Sequence, residues 1–190
     1  MRPDEPSDPP LQRITVAGHD YAFADEGAGP VLLLLHGVPG THRDFRWLAP
    51  SLPGLRVVRP DLPGFGDTAG FAPAYHEAIA KTALALVDAL HIERFAVVGH
   101  SMGGVFATAL AVMAPERVTA LGLLSSVGLR RHRGLRRNQK TLRRIAGVVA
   151  SPLGARVLAP LLRRGFARSG FGTRHGDDTL VRSIQLASGV

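Results

Sequence analysis

Cysteine is absent from the 190 residues. That excludes disulfides, thiol catalysis and cysteine-rich zinc sites. No apolar run approaches the roughly 20 residues of a membrane-spanning helix. The N-terminus, Met1-Arg2-Pro3-Asp4-Glu5-Pro6, has no apolar stretch of the kind that marks a secretory leader. The expectation is a cytoplasmic protein. Metal-ligand spacings, a phosphate-binding P-loop, a G-x-G-x-x-G turn and internal repeats are also missing, so no metal and no cofactor is expected. Acidic residues are scarce late in the chain. Residues 130–190 carry fourteen Lys or Arg against two Asp, whereas residues 1–129 carry nine against thirteen Asp or Glu. The basic character therefore belongs to the last third, and nearly all of it is arginine.

What is present is enough for a packed domain. Apolar residues make up 45% and the mean hydropathy is +0.10, a globular composition at a length that suits one domain. One stretch dominates, Phe95-Ala96-Val97-Val98-Gly99-His100-Ser101-Met102-Gly103-Gly104. A short apolar, Val-rich run reads as a buried strand. Val105 to Met113, rich in Ala and Leu, reads as a helix. Between them lies Gly99-x-Ser101-x-Gly103, the pattern of a nucleophile elbow. Glycines on either side let strand and helix pass closely, and the serine takes a strained conformation at the tip.

The rest of the chain alternates strands and helices. Residues 1–10 are Pro-rich and acidic and read as a flexible tail. Gln12–Val16 and Tyr21–Ala24 read as an antiparallel hairpin. Pro30–Leu35, apolar on both faces, reads as a central parallel strand that runs into His36-Gly37-Val38-Pro39-Gly40. Thr41 is placed to cap a helix through Phe45 and Leu48. Strand Leu55–Val58 leads into Asp61-Leu62-Pro63-Gly64-Phe65-Gly66, then a helix over about 74–90. Val118–Leu124 is a further strand. The alternation predicts an α/β fold, a mostly parallel twisted sheet with helices on both faces. A core over 11–129 and a basic helical cap or insertion over 130–190 are expected.

With the segments His36–Gly40, Asp61–Gly66 and Gly99–Gly104 in this order, the chain resembles the α/β-hydrolase superfamily over roughly residues 12–127. The resemblance implies that Ser101 is the nucleophile. It implies that the N–H groups of Met102 and Val38 form the oxyanion hole. His36, Gly37, Gly99, His100 and Gly103 then support the motifs, with His36 structural rather than catalytic. It also implies loop architecture for Asp61. A serine at the elbow favours an acyl-enzyme over the alkyl-enzyme of epoxide opening, so a small-molecule acyl substrate is the expected partner.

The resemblance also implies a carboxylate and then a histidine after Ser101. The later candidates are Glu116, Asp177 and Asp178, with His132 and His175, and none follows a credible strand. The expectation is a fold lacking its C-terminal strands, a fragment without acid and base. The competing expectation is a catalytically dead remnant. Its Arg-rich segment, with Leu142-Arg143-Arg144-Ile145 as an example, would bind a membrane surface or nucleic acid. Neither is expected as the main partner, since an Arg-rich solvated face explains the same charges. Strand Val118–Leu124, without charge or proline, reads as an unprotected edge.

Overall fold

The computed structural model describes residues 7–16, 19–68 and 76–127. The chain divides into two units at Val127, and all described residues lie in the first. The cap expected over 130–190, with His132, His175, Asp177 and Asp178, lies outside the described residues.

Among the described residues, six strands form one sheet. They are β1 (Gln12–Val16), β2 (His19–Gly27), β3 (Val31–Leu35), β4 (Arg56–Pro60), β5 (Phe95–His100) and β6 (Val118–Leu124). Their spatial order is β1-β2-β4-β3-β5-β6. The hairpin β1–β2 is antiparallel, and β2 joins β4 antiparallel. The β4–β3, β3–β5 and β5–β6 pairs are parallel. Two helices, α1 (His76–Ala89) and α2 (Gly103–Met113), supply crossovers.

The all-apolar run of β3 explains its central place. Leu33, Leu34 and Leu35 are fully buried and Leu32 nearly so. Each contributes roughly 1.5–3 kcal/mol of transfer free energy. Side chains alternate across a strand. Leu32 and Leu34 pack with Phe45, Ala49 and Val57 on one face, while Leu33 and Leu35 project to the other, where α2 lies over the end of β3.

The helix expected after Thr41 is a pair of 3-10 turns, His42–Phe45 and Ala49–Ser51. Thr41 does cap the first, its hydroxyl accepting from Arg43 N at 3.2 Å. Pro50 lacks an N–H and Pro53 follows closely, so the α-helical ladder cannot propagate and i→i+3 bonds close each turn instead.

Asp8, within the segment expected as a flexible tail, carries two ion pairs. Its carboxylate pairs with Arg43 at 2.8 Å and with Arg59 at 3.2 Å. Arg59 is only 1% exposed, and a buried guanidinium holds an anion firmly, because breaking such a pair costs about 3–5 kcal/mol.

Among the described residues β6 is bonded on one side only, to β5. Leu121 and Leu124 are exposed. An apolar strand with a free row of N–H and C=O groups is a template for pairing with another chain. The protein is expected to associate with rising concentration, and Leu121→Lys is expected to weaken that association in sedimentation velocity. An unchanged profile would mean that other residues cover the strand.

Candidate active site

The parallel strands β3, β4 and β5 end side by side, and the loops that leave them meet. At β5 only Ser101 and Met102 separate the last strand residue from the first of α2. Such a turn forces Ser101 to φ 54°, a left-handed conformation that costs a non-glycine residue on the order of 1 kcal/mol. Hydrogen bonds hold it there. Ser101 N donates to Leu124 O at 2.9 Å, and Ser101 O accepts from Gly104 N and Val127 N, each at 3.2 Å. Side chains at Gly99 or Gly103 would forbid the arrangement. A Cβ at Gly99 would overlap the Gly103 carbonyl, and one at Gly103 would overlap Leu35 O.

The loop His36–Gly40 lies directly against this turn. A Cβ built on Gly37 would sit 3.0 Å from Ser101 Cβ, 3.3 Å from His100 O and 3.4 Å from His100 Nδ1. Backbone therefore approaches the serine as closely as packing allows. The Val38–Pro39 peptide is cis. Among the described residues, no backbone acceptor takes the N–H of Val38 or of Met102.

His36 fixes the loop. Its ring is fully buried. Nε2 accepts from Leu62 N at 2.9 Å, so the proton sits on Nδ1, which donates to Gly37 O at 2.7 Å. The loop after β3 is thereby tied to the loop after β4. Burial pushes the ring's pKa below its ordinary 6.5, opposed by the nearby carboxylates Asp61 and Asp44. His36 is neutral and structural, with both nitrogens engaged.

Asp61 is equally occupied. Its Oδ1 accepts from His42 N at 2.7 Å and His42 Nδ1 at 2.8 Å, and its Oδ2 accepts from Asp67 N at 2.7 Å. Burial works to raise this carboxyl, but the His42 bond, the nearby histidines and the Asp67 N–H outweigh it, and the net shift is downward. Asp44 shifts the other way. Partial removal from water raises it against the attraction of His36, although its own surface stays open to solvent. No group of three or more His, Asp or Glu among the described residues could hold a metal ion. No described helix is long and apolar enough to cross a membrane.

The model of the alpha/beta hydrolase fold matches residues 30–183. The chain belongs to this family. It is similar to epoxide hydrolase 2 of Siraitia grosvenorii, with 39% identity over 124 residues, covering 63% of this chain and 39% of that protein. It is similar to 2-hydroxymuconate semialdehyde hydrolase of Pseudomonas sp. (strain CF600), with 38% identity over 124 residues, covering 62% and 44%. Among solved structures, a putative epoxide hydrolase of Pseudomonas aeruginosa superposes with a TM-score of 0.70 at 25% identity, covering 96% of this chain and 70% of that one. This α/β-hydrolase chain spans less than half the length of the curated relatives it matches.

The structure brings together Ser101, Met102, Gly37, Val38, His36, His100, Gly99 and Gly103. Glu116 lies apart, in the exposed turn after α2. Sequence reasoning missed His42, Arg59 and the turn Ser125–Val127 that brackets Ser101. Ser125 itself has φ 46°. Arg59 alone left a signal, a charge between Val58 and Pro60 at the end of a buried strand.

Two predictions follow from this packing. Gly103→Ala drives a methyl into Leu35 O and is expected to cost about 1–3 kcal/mol, read as a lowered midpoint in chemical denaturation. The second concerns pH. The unfolded His36 titrates at its ordinary 6.5, whereas the folded ring resists protonation. Its contribution is complete above that value and is lost as pH falls below it, at up to about 1.4 kcal/mol per pH unit. Thermal midpoints should therefore decline between pH 7 and pH 5, and His36→Gln should flatten the slope.

Proposed function

We propose that the protein hydrolyses an ester-like or related acyl substrate, with Ser101 as nucleophile. The observation that carries this reading is the left-handed Ser101 at the strand–helix turn, with the Gly37 backbone packed against it. In the proposed reaction Ser101 Oγ attacks the acyl carbonyl and its proton passes to a general base. The carbonyl oxygen gathers negative charge and is met by the N–H groups of Val38 and Met102, the latter at the start of α2, where the helix field also favours an anion. The leaving group departs with a proton, and water attacks the acyl-enzyme to release the acid and restore Ser101.

His36 is unavailable as the base because both its nitrogens are engaged, and His42 is bound to Asp61. The base is proposed to come from outside the described residues. The identity of residue 101 separates acyl chemistry from epoxide opening, the activity named in several relatives. A carboxylate that opens an epoxide leaves an ester, which water can cleave. A serine hydroxyl would leave an ether, which it cannot. The semialdehyde hydrolase among the relatives keeps carbon–carbon cleavage next to a carbonyl within the same reading.

A fluorophosphonate probe tests it. Mass spectrometry should place the adduct on Ser101, and Ser101→Ala should abolish labelling. An adduct on another residue, or labelling that survives the substitution, would overturn the assignment.

A further inference from the structure

An oxyanion hole built from loop backbone works only if the loop is held at both ends. His36 holds the near end. The far end runs through Thr41 into His42, and three groups grip it there. Asp61 takes the His42 N–H and ring. Arg59 Nη1 donates to the His42 carbonyl at 3.2 Å. The third contact is less direct. The Arg59 guanidinium is buried and must be neutralised. Glu26, on β2, meets its Nη2. Asp8 meets its Nη1 at 3.2 Å and, through its other oxygen, reaches Arg43 Nη1 at 2.8 Å.

Asp8 thus bridges the cation that holds His42 and the cation of the next residue. Glu26 belongs to the sheet, but Asp8 comes from the segment ahead of β1 and has no other strand to support. We propose that Asp8 is a positioning residue for the oxyanion loop, strapping the turn His42–Phe45 to the buried end of β4 so that the Val38 N–H stays aimed beside Ser101. This rests on the reading of Ser101 given above. Asp8 then becomes part of the support of the site.

The sequence contains one tryptophan, Trp47. It lies two residues past this turn and is exposed, with the Arg46 guanidinium 5.8 Å from its ring centroid. Its fluorescence reports loop order independently of any reaction.

The test uses the 190-residue chain with Asp8→Asn, Asp8→Glu and, as control, Asp25→Asn. The control breaks the Arg56–Asp25 pair at the opposite end of β4, away from the loop. Three quantities are measured: acrylamide quenching of Trp47, thermal midpoint, and saturation kinetics of Ser101 phosphonylation. Asp8→Asn should increase quenching and slow the limiting labelling rate about tenfold, with little change in the half-saturating probe concentration. Asp8→Glu should recover part of both effects. Asp25→Asn should lower the midpoint and alter neither. A midpoint shift alone in Asp8→Asn, looser Trp47 with unchanged labelling, or equal effects from Asp25→Asn would each overturn the proposal. If wild-type Ser101 takes no label, the functional reading fails, and Trp47 quenching alone then decides whether Asp8 holds the loop.

Discussion

The imidazole of His36 joins the loop after β3 to the loop after β4 at the point nearest Ser101. One nitrogen accepts from the chain leaving β4, and the other donates to the chain leaving β3. Each hydrogen bond is worth on the order of 1 kcal/mol net, but an unpaired buried nitrogen or N–H costs more than that. Satisfaction of the ring therefore depends on both loops being in place together. Gly37 follows in sequence, so fixing His36 also fixes how closely backbone approaches Ser101. The elbow on β5 depends in turn on that loop, because Gly103 passes against Leu35 O at the point where β3 becomes the His36 loop.

Around this knot the charges are arranged to hold backbone. Asp61 accepts two backbone N–H groups, from His42 and Asp67, and holds the His42 ring as well. Arg59 reaches a carbonyl as well as two carboxylates. Buried ionic groups seldom stabilise a fold more than apolar side chains of the same volume. What they supply is direction, since an ion pair tolerates fewer arrangements than a leucine does. A loop that must present an N–H at a fixed point benefits from that intolerance.

The sheet was legible because its strands carry their burial in their composition. β3 is nearly all leucine, and β6 was bounded to the residue by its apolar run. The elbow was legible because only glycine fits where a strand and a helix touch. The turns after Thr41 were legible as helical but not as 3-10, since the decision lies with prolines outside the first turn. Asp8 was not legible at all. A single carboxylate among prolines reads as solvated unless a buried cation waits for it, and that cation lies 51 residues further along the chain. Pairings of this kind depend on how distant segments fold together, which local pattern does not carry.

The scaffold and the reaction are separate questions. A strand, a two-residue turn and a helix can hold any small side chain in the left-handed position, and the amides near it will favour whatever negative charge develops there. Likeness of fold therefore extends across relatives whose names record different reactions. The atom at the tip narrows the choice. A hydroxyl oxygen bonded to an alkyl carbon leaves an ether that water does not cleave, so the side chain of residue 101 constrains the chemistry more than the agreement of the whole sheet does. The surroundings of Ser101 are set by residues at the C-terminal ends of β3, β5 and β6. Gly37, His100 and the turn after β6 already form part of that wall.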